Sequence, residues 1–246
     1  NHGTDSTGKY RAELGVSAFN ALGAGDVLAA SLGYGLDPAD SWQAALSLSV
    51  PFDDVQGLSG IAGISRSEME VNTGPFAAMQ LKGPTTMLYA GGDWTFIQRT
   101  DLQVQASARW IHETSELEGL GIVLSRNSFD VIDAGVSLRH TDRRWRGMNL
   151  AQLSLRKSIN DESSPQNWLY TSHAPYFWVG RMALARLQAL PGDQRLVLRG
   201  NAQFTDDALT PMEQFSVGGP TSVRAYPLST ALGDRGVQAT LEYQVS

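Results

Sequence analysis

The residue with the clearest chemical use in this 246-residue sequence is Arg224, set in the run Gln214-Phe215-Ser216-Val217-Gly218-Gly219-Pro220-Thr221-Ser222-Val223-Arg224-Ala225-Tyr226-Pro227. A guanidinium offers a planar fork to both oxygens of a carboxylate. In a confined polar space that pairing fixes depth as well as position, which the point charge of a lysine does not reproduce. Gly218, Gly219 and Pro220 supply a tight reversal ahead of the arginine, and Tyr226 offers a rigid ring to pack on a wall. On the residues alone the run also reads as an exposed loop with a solvated arginine.

Other groups that could do chemistry do not converge. His2, His112, His140 and His173 are far apart, without the i, i+4 spacing that places two ligands on one metal. Gly57-Leu58-Ser59-Gly60 lacks the spacing and the following helix of a nucleophile elbow. The pairs Asp53-Asp54, Glu116/Glu118 and Asp161-Glu162 fall in predicted turns and loops, where solvation explains them. The run Asp142-Arg143-Arg144-Trp145-Arg146 reads as a basic-aromatic interfacial anchor. No enzyme activity, metal or cofactor is expected.

The elements that must position Arg224 follow from an alternation of apolar and polar residues. Leu102, Val104, Ala106, Ala108 and Trp110 oppose Gln103, Gln105, Ser107, Arg109 and Ile111, the period of a strand between two unlike solvents. The same pattern recurs from Tyr10, Leu28, Trp42, Leu88, Ile132, Ala151, Tyr176, Leu196 and Val237; Leu58–Ser67 continues it without declaring an apolar face. That gives eleven strands and no helix. Short links such as Phe52–Gly57, Gln98–Thr100 and Pro191–Asp193 alternate with longer ones such as Glu113–Asn127 and Ile159–Pro175, as in an outer-membrane barrel. A soluble β-sandwich also alternates. Against it, Arg11, Arg109, Arg139 and Arg199 lie mid-strand opposite apolar residues, which suits a wet lumen; Glu13 and Gln203 share that side. Aromatics gather near strand ends, among them Tyr10, Phe19, Tyr34, Trp42, Phe52, Trp94, Phe96, Trp110, Phe177, Trp178 and Phe204, as interfacial girdles require.

Composition agrees. No window approaches the ~20 apolar residues of a spanning helix, yet a barrel hides its hydrophobicity on one face of each strand. A net charge of −6 disfavours nucleic acid as a partner, and the absence of cysteine excludes stapled folds and thiolate metal sites. The sequence starts without an initiator Met or signal region, so it reads as a segment of a longer precursor. Eleven strands leave two unpaired edges, and lipid does not tolerate an open edge, so further strands are expected to complete the wall.

Asn1-His2-Gly3, Ser6–Arg11, Ala21-Leu22-Gly23-Ala24-Gly25-Asp26, Gln214–Pro220, Val223–Pro227 and Gly233-Asp234-Arg235-Gly236 together resemble the two-partner secretion transporters, the TpsB family of haemolysin and adhesin secretion-activation proteins. The resemblance spans the whole chain in matching order. It implies a 16-stranded transmembrane antiparallel β-barrel preceded by a plug helix and two POTRA domains. Residues 1–246 would be a partial barrel of about strands 2–12, and 205–236 a long loop folded into the lumen. It further implies export of a large β-helical partner protein without ATP, contact with the lipid bilayer and lipopolysaccharide, and a transport motif of Gln214, Phe215, Gly218, Gly219, Pro220, Val223, Arg224, Ala225 and Tyr226. In the family the arginine is held by an acidic residue on a later strand, and glycine often follows it where this chain has Ala225. Barrel assembly by a related factor and passive diffusion through a porin are the alternative functions.

Overall fold

The computed structural model describes residues 10–36, 41–52, 55–71, 80–163, 174–219, 223 and 230–245, and these contain no helix. One antiparallel sheet holds eleven strands: β1 (Tyr10–Phe19), β2 (Val27–Leu36), β3 (Trp42–Pro51), β4 (Leu58–Val71), β5 (Leu81–Gln98), β6 (Leu102–Gly119), β7 (Ile122–Asp142), β8 (Gly147–Asp161), β9 (Trp178–Ala189), β10 (Gln194–Phe204) and β13 (Gly236–Val245). Between the last two, β11 (Phe215–Val217) and β12 (Ala231–Gly233) form a separate hairpin. Each strand of the large sheet pairs with its neighbour in the chain, and β10 pairs across the hairpin with β13. This up-and-down order is that of a barrel wall.

The two faces of the sheet meet different solvents. On the outer face Leu14, Leu32, Leu46, Val136, Leu153 and Leu241 are between 46% and 65% exposed, a spread of bare apolar surface that water penalises and lipid accepts. Outward aromatics form two levels. Phe52, Trp94 and Phe96 lie toward the end with short turns; Tyr10, Tyr34, Trp42, Trp178 and Phe204 lie toward the end with long connections. Phe19, expected in a girdle, falls instead on the inner register with Val27 and Ser49, because it is one residue past the outer Ala18. On the inner face the ladders bring polar residues into line, such as Gln105 beside Ser137, Ser137 beside Gln152, and Gln152 beside Ala183 and then Asn201.

One open face is assigned and four expectations change. Leu58–Ser67 declares no face because its isoleucines divide: Ile61 lies with Gly91 and Ser49 on the inner face, Ile64 with Leu88 and Leu46 on the outer. The segment Glu113–Asn127 is a hairpin, not a loop, since β6 and β7 continue to Gly119 and from Ile122. Beyond the apolar band both faces are wet, so polar cross-strand pairs replace the alternation; Arg126 Nε, for example, lies 2.7 Å from Glu116 Oε1. Glu116 and Glu118 are therefore strand residues. Phe177 is not part of an outer girdle but is 3% exposed in an inner cluster, and the strand expected from Tyr176 begins at Trp178. The hairpin of β11 and β12 escapes the pattern because three residues are too few to show a period.

The short turns are closed by their own side chains. In Asn20–Asp26, the Asp26 Oδ1 accepts the N–H groups of Leu22 (2.9 Å) and Ala24 (3.4 Å), Asn20 Oδ1 accepts that of Gly25 (2.8 Å), and Asn20 itself has φ 58°. Asp26 is fully buried. Asp26→Ala leaves these amides to water, because the turn around them is exposed, and should cost about 1 kcal/mol. A fall in the urea midpoint of the detergent-folded full-length protein is the measurement; an unchanged midpoint would contradict the account. At the β7–β8 turn the Trp145 N–H donates to Asp142 Oδ1 (3.0 Å), Trp145 is exposed, and the Arg144 guanidinium lies 5.8 Å from the indole centroid.

Candidate functional site

The chain leaves β10 at Phe204 and turns at once onto the inner face. The Thr205 hydroxyl donates to the Trp178 carbonyl (2.5 Å) and accepts the Asp207 N–H (3.0 Å), while Asp207 Oδ2 accepts the Trp178 N–H (3.0 Å). The start of the loop is thereby tied to the start of β9. Leu209, 5% exposed, then enters an apolar cluster with Ile111, Phe129, Val131, Phe177 and Val179. Phe129 and Phe177 meet edge to face at 5.8 Å, an arrangement that aromatic quadrupoles favour. Three strands and two connections share this cluster, at the level of the long connections.

Next to it lies an ionic cluster. The turn from Thr210, whose carbonyl accepts the Glu213 N–H (2.9 Å), delivers Glu213 to the wall with 1% of its surface exposed. Arg181 Nη2 of β9 lies 2.7 Å from Glu213 Oε2, and Arg156 Nε of β8 lies 3.2 Å from Glu213 Oε1. Arg156 Nη2 also pairs with Glu113 Oε2 of β6 at 2.9 Å. Gln203 of β10 completes the set: its Oε1 accepts from Arg181 Nε (2.9 Å), and its Nε2 donates to the Glu213 carbonyl (2.8 Å). Two carboxylates and two guanidiniums balance. A buried carboxylate is stable only when paired and hydrogen-bonded, so these contacts hold this loop position to the wall.

The far end of the loop returns to the same place. β11 pairs with β12 through Phe215 opposite Gly233 and Val217 opposite Ala231. Asp234 Oδ1 accepts from the Leu209 N–H (3.0 Å) and Gln214 Nε2 (3.1 Å), and its carbonyl accepts from Gln203 Nε2 (3.1 Å). The Phe215 ring lies over Gly236: a Cβ there would meet Phe215 Cδ1 at 2.1 Å. The Gln214-Phe215 and Asp234–Gly236 segments, far apart in sequence, therefore make one unit. Gly218 and Gly219, with φ of 120° and 100°, open the hairpin in conformations that side chains disfavour.

The residues singled out in the sequence fall into three groups. Gln214, Phe215 and Gln203 belong to the loop root just described. Pro220, Arg224, Ala225 and Tyr226 lie outside the described residues, and Val223 between them is described and exposed. Along the inner face, Arg109 Nη2 pairs with Asp93 (3.1 Å) and Arg199 Nη1 stands 3.5 Å from Glu242. Glu13 and Arg139 are exposed on that face. Arg11 lies in β1, with its side chain outside the description. Of the histidines, His2 and His173 are outside the described residues; His112 Nδ1 lies 2.9 Å from Asp130 and His140 Nδ1 lies 3.3 Å from Asn149 Nδ2, both within strands. Among the described residues no group of histidine and carboxylates could hold a metal. Asp53 and Asp54 lie outside the described residues.

Sequence reading missed Glu113, Arg156, Arg181, Glu213 and Asp234 as site residues. Arg156 and Arg181 carry the signal that marked Arg109 and Arg199, a charge on the inner register. Glu213 adjoins a quoted motif and Asp234 lies within one, but both show their partners only in three dimensions.

The sequence pattern of one protein family, haemolysin secretion/activation protein ShlB/FhaC/HecB, matches residues 1–245. Among solved structures, CdiB from Escherichia coli superposes with a TM-score of 0.81 at 18% identity, covering 99% of this chain and 46% of that one. CdiB from Acinetobacter baumannii gives 0.71 at 14% identity, covering 98% and 45%. The chain thus spans about half the length of either. A search of curated proteins gave no match.

Proposed function

The chain belongs to the haemolysin secretion/activation protein family ShlB/FhaC/HecB, and from that membership we propose that it forms most of the wall of an outer-membrane pore that exports one large partner protein by two-partner secretion. The inner loop, 205–236, is the gate. Arg224 falls in sequence between β11 and β12, and the root of the loop is the Glu213 cluster. Strands outside this chain complete the barrel, and POTRA domains receive the partner, a β-helical exoprotein of the haemolysin or adhesin type. The long connections face lipopolysaccharide.

The observation that carries this reading is the buried ionic root. A gate needs one end held while the other moves, and a carboxylate with 1% exposure fixes the base of this loop to the wall. Arg224→Ala in the full-length protein tests the role of that arginine. Secretion of the partner should fall at least tenfold with the barrel still inserted and heat-modifiable on a gel; unchanged secretion would remove Arg224 from the mechanism.

A further inference from the structure

A furrow of about 420 Å³ lies on the inner face of β6 to β10, on the short-turn side of the loop root. Gln103, Gln105, Gln152 and Asn201 give it four primary amides, and Arg139 and Arg199 give it two guanidiniums. No carboxylate lines it. Arg139 has no ion-pair or hydrogen-bond partner among the described residues, and Arg199 meets Glu242 only at 3.5 Å with half of its side chain exposed. The furrow therefore carries one unpaired guanidinium, Arg139, and a second, Arg199, held only at one long contact, within a chain of net charge −6.

It is also continuous with the gate. A second cavity of about 380 Å³ shares Gln152, Ala183 and Asn201 with it and extends to Arg181, Gln203 and Phe215 at the loop root. Toward the short turns, the inner positions of β1 to β3 offer less to grip: Gly15, Ser17, Ser31, Ala45 and Ser47 carry at most a hydroxyl, and the longer Glu13 and Gln43 lie toward the long connections. At the level of the furrow, one wall thus holds long hydrogen-bonding side chains and the other short ones.

We propose that this furrow is a transit subsite for acidic stretches of the extended polypeptide being exported. The inference rests on the export reading and names the chemistry the pore wall selects. Each primary amide both donates and accepts, so the four can exchange hydrogen bonds with a passing backbone in any register. The guanidiniums add a preference for carboxylate side chains. Both arginines are well exposed to the aqueous lumen, so each contact is weak, worth about a two- to fivefold bias. Weak, repeated sites are what conduction requires, because a tight one would trap the chain.

The test uses the full-length protein in planar bilayers, with three unstructured peptides of equal length applied from the short-turn side: glutamate-rich, lysine-rich and serine-glycine. The glutamate-rich peptide should give the longest current blockades. The double variant Arg139→Gln/Arg199→Gln should shorten them about tenfold, leave the serine-glycine peptide unchanged and shift the reversal potential in a salt gradient toward cations. The proposal fails if lysine-rich peptide dwells as long as glutamate-rich, if no peptide blocks the wild-type channel, or if the double variant changes neither dwell time nor selectivity. Partner secretion by the wild type and by Arg224→Ala is measured in parallel. Intact secretion in Arg224→Ala, alongside charge-dependent blockades, would remove the gating role and leave the subsite standing.

Discussion

Replacing Glu213 by alanine in the full-length protein should release the loop root from the wall and leave the barrel inserted. The substitution removes the one carboxylate that Arg181 meets at 2.7 Å, while Arg156 keeps Glu113 at 2.9 Å. Breaking a buried pair from one side costs about 3–5 kcal/mol, because the remaining charge stays desolvated. Here the lower end applies, since Arg181 retains Gln203 and is one-third exposed. About 3 kcal/mol moves a docked-to-undocked ratio by more than a hundredfold. Limited proteolysis within residues 205–235 should accelerate accordingly, and steady conductance should rise. Glu213→Gln keeps the acceptor oxygen without the charge and should fall between. Proteolysis at the wild-type rate in Glu213→Ala would show that the ionic cluster does not hold the loop.

The second large effect is expected at Phe177. Its ring fills the space between Phe129, Val131, Val179 and Leu209, and Phe177→Ala should cost about 3–5 kcal/mol through lost burial and the cavity left behind. The Phe177 carbonyl accepts the Ser158 N–H at 2.9 Å, so hydrogen exchange at the Ser158 amide reports the loss directly, and protection there should fall by two to three orders of magnitude. Phe204→Ala is the control. Phe204 is half exposed on the outer face, and its truncation should leave the Ser158 amide protected. Equal effects from the two variants would mean that the inner cluster does not fasten the β8–β9 connection.

Most of the fold is legible in the sequence because a membrane wall forces period two on each strand. Leu102 to Ile111 states its pairing partners' faces as plainly as its own. Legibility fails where that constraint is absent. Glu113 to Asn127 lies beyond the apolar band, where charged pairs sustain the strands and no solvent contrast marks them. Phe177 sits on the inner face, where apolar residues from two connections bury one another, so its aromatic character points to the wrong side. The loop motif is visible as a break in the pattern, but its anchors are not: Glu213 finds Arg156 and Arg181 from strands that lie more than thirty residues earlier in the chain, and no local spacing encodes that meeting.

The Phe215 ring over Gly236 makes the loop root depend on the eleventh strand of the sheet. Gly236 opens β13, and Asp234 just before it holds Leu209 and Gln214. A nascent wall that has added strands through β10 has the arginines that Glu213 seeks but lacks Asp234 and the bare backbone on which Phe215 rests. The loop root is therefore complete only once the sheet extends past β10, because the eleventh strand and the residues just before it supply both.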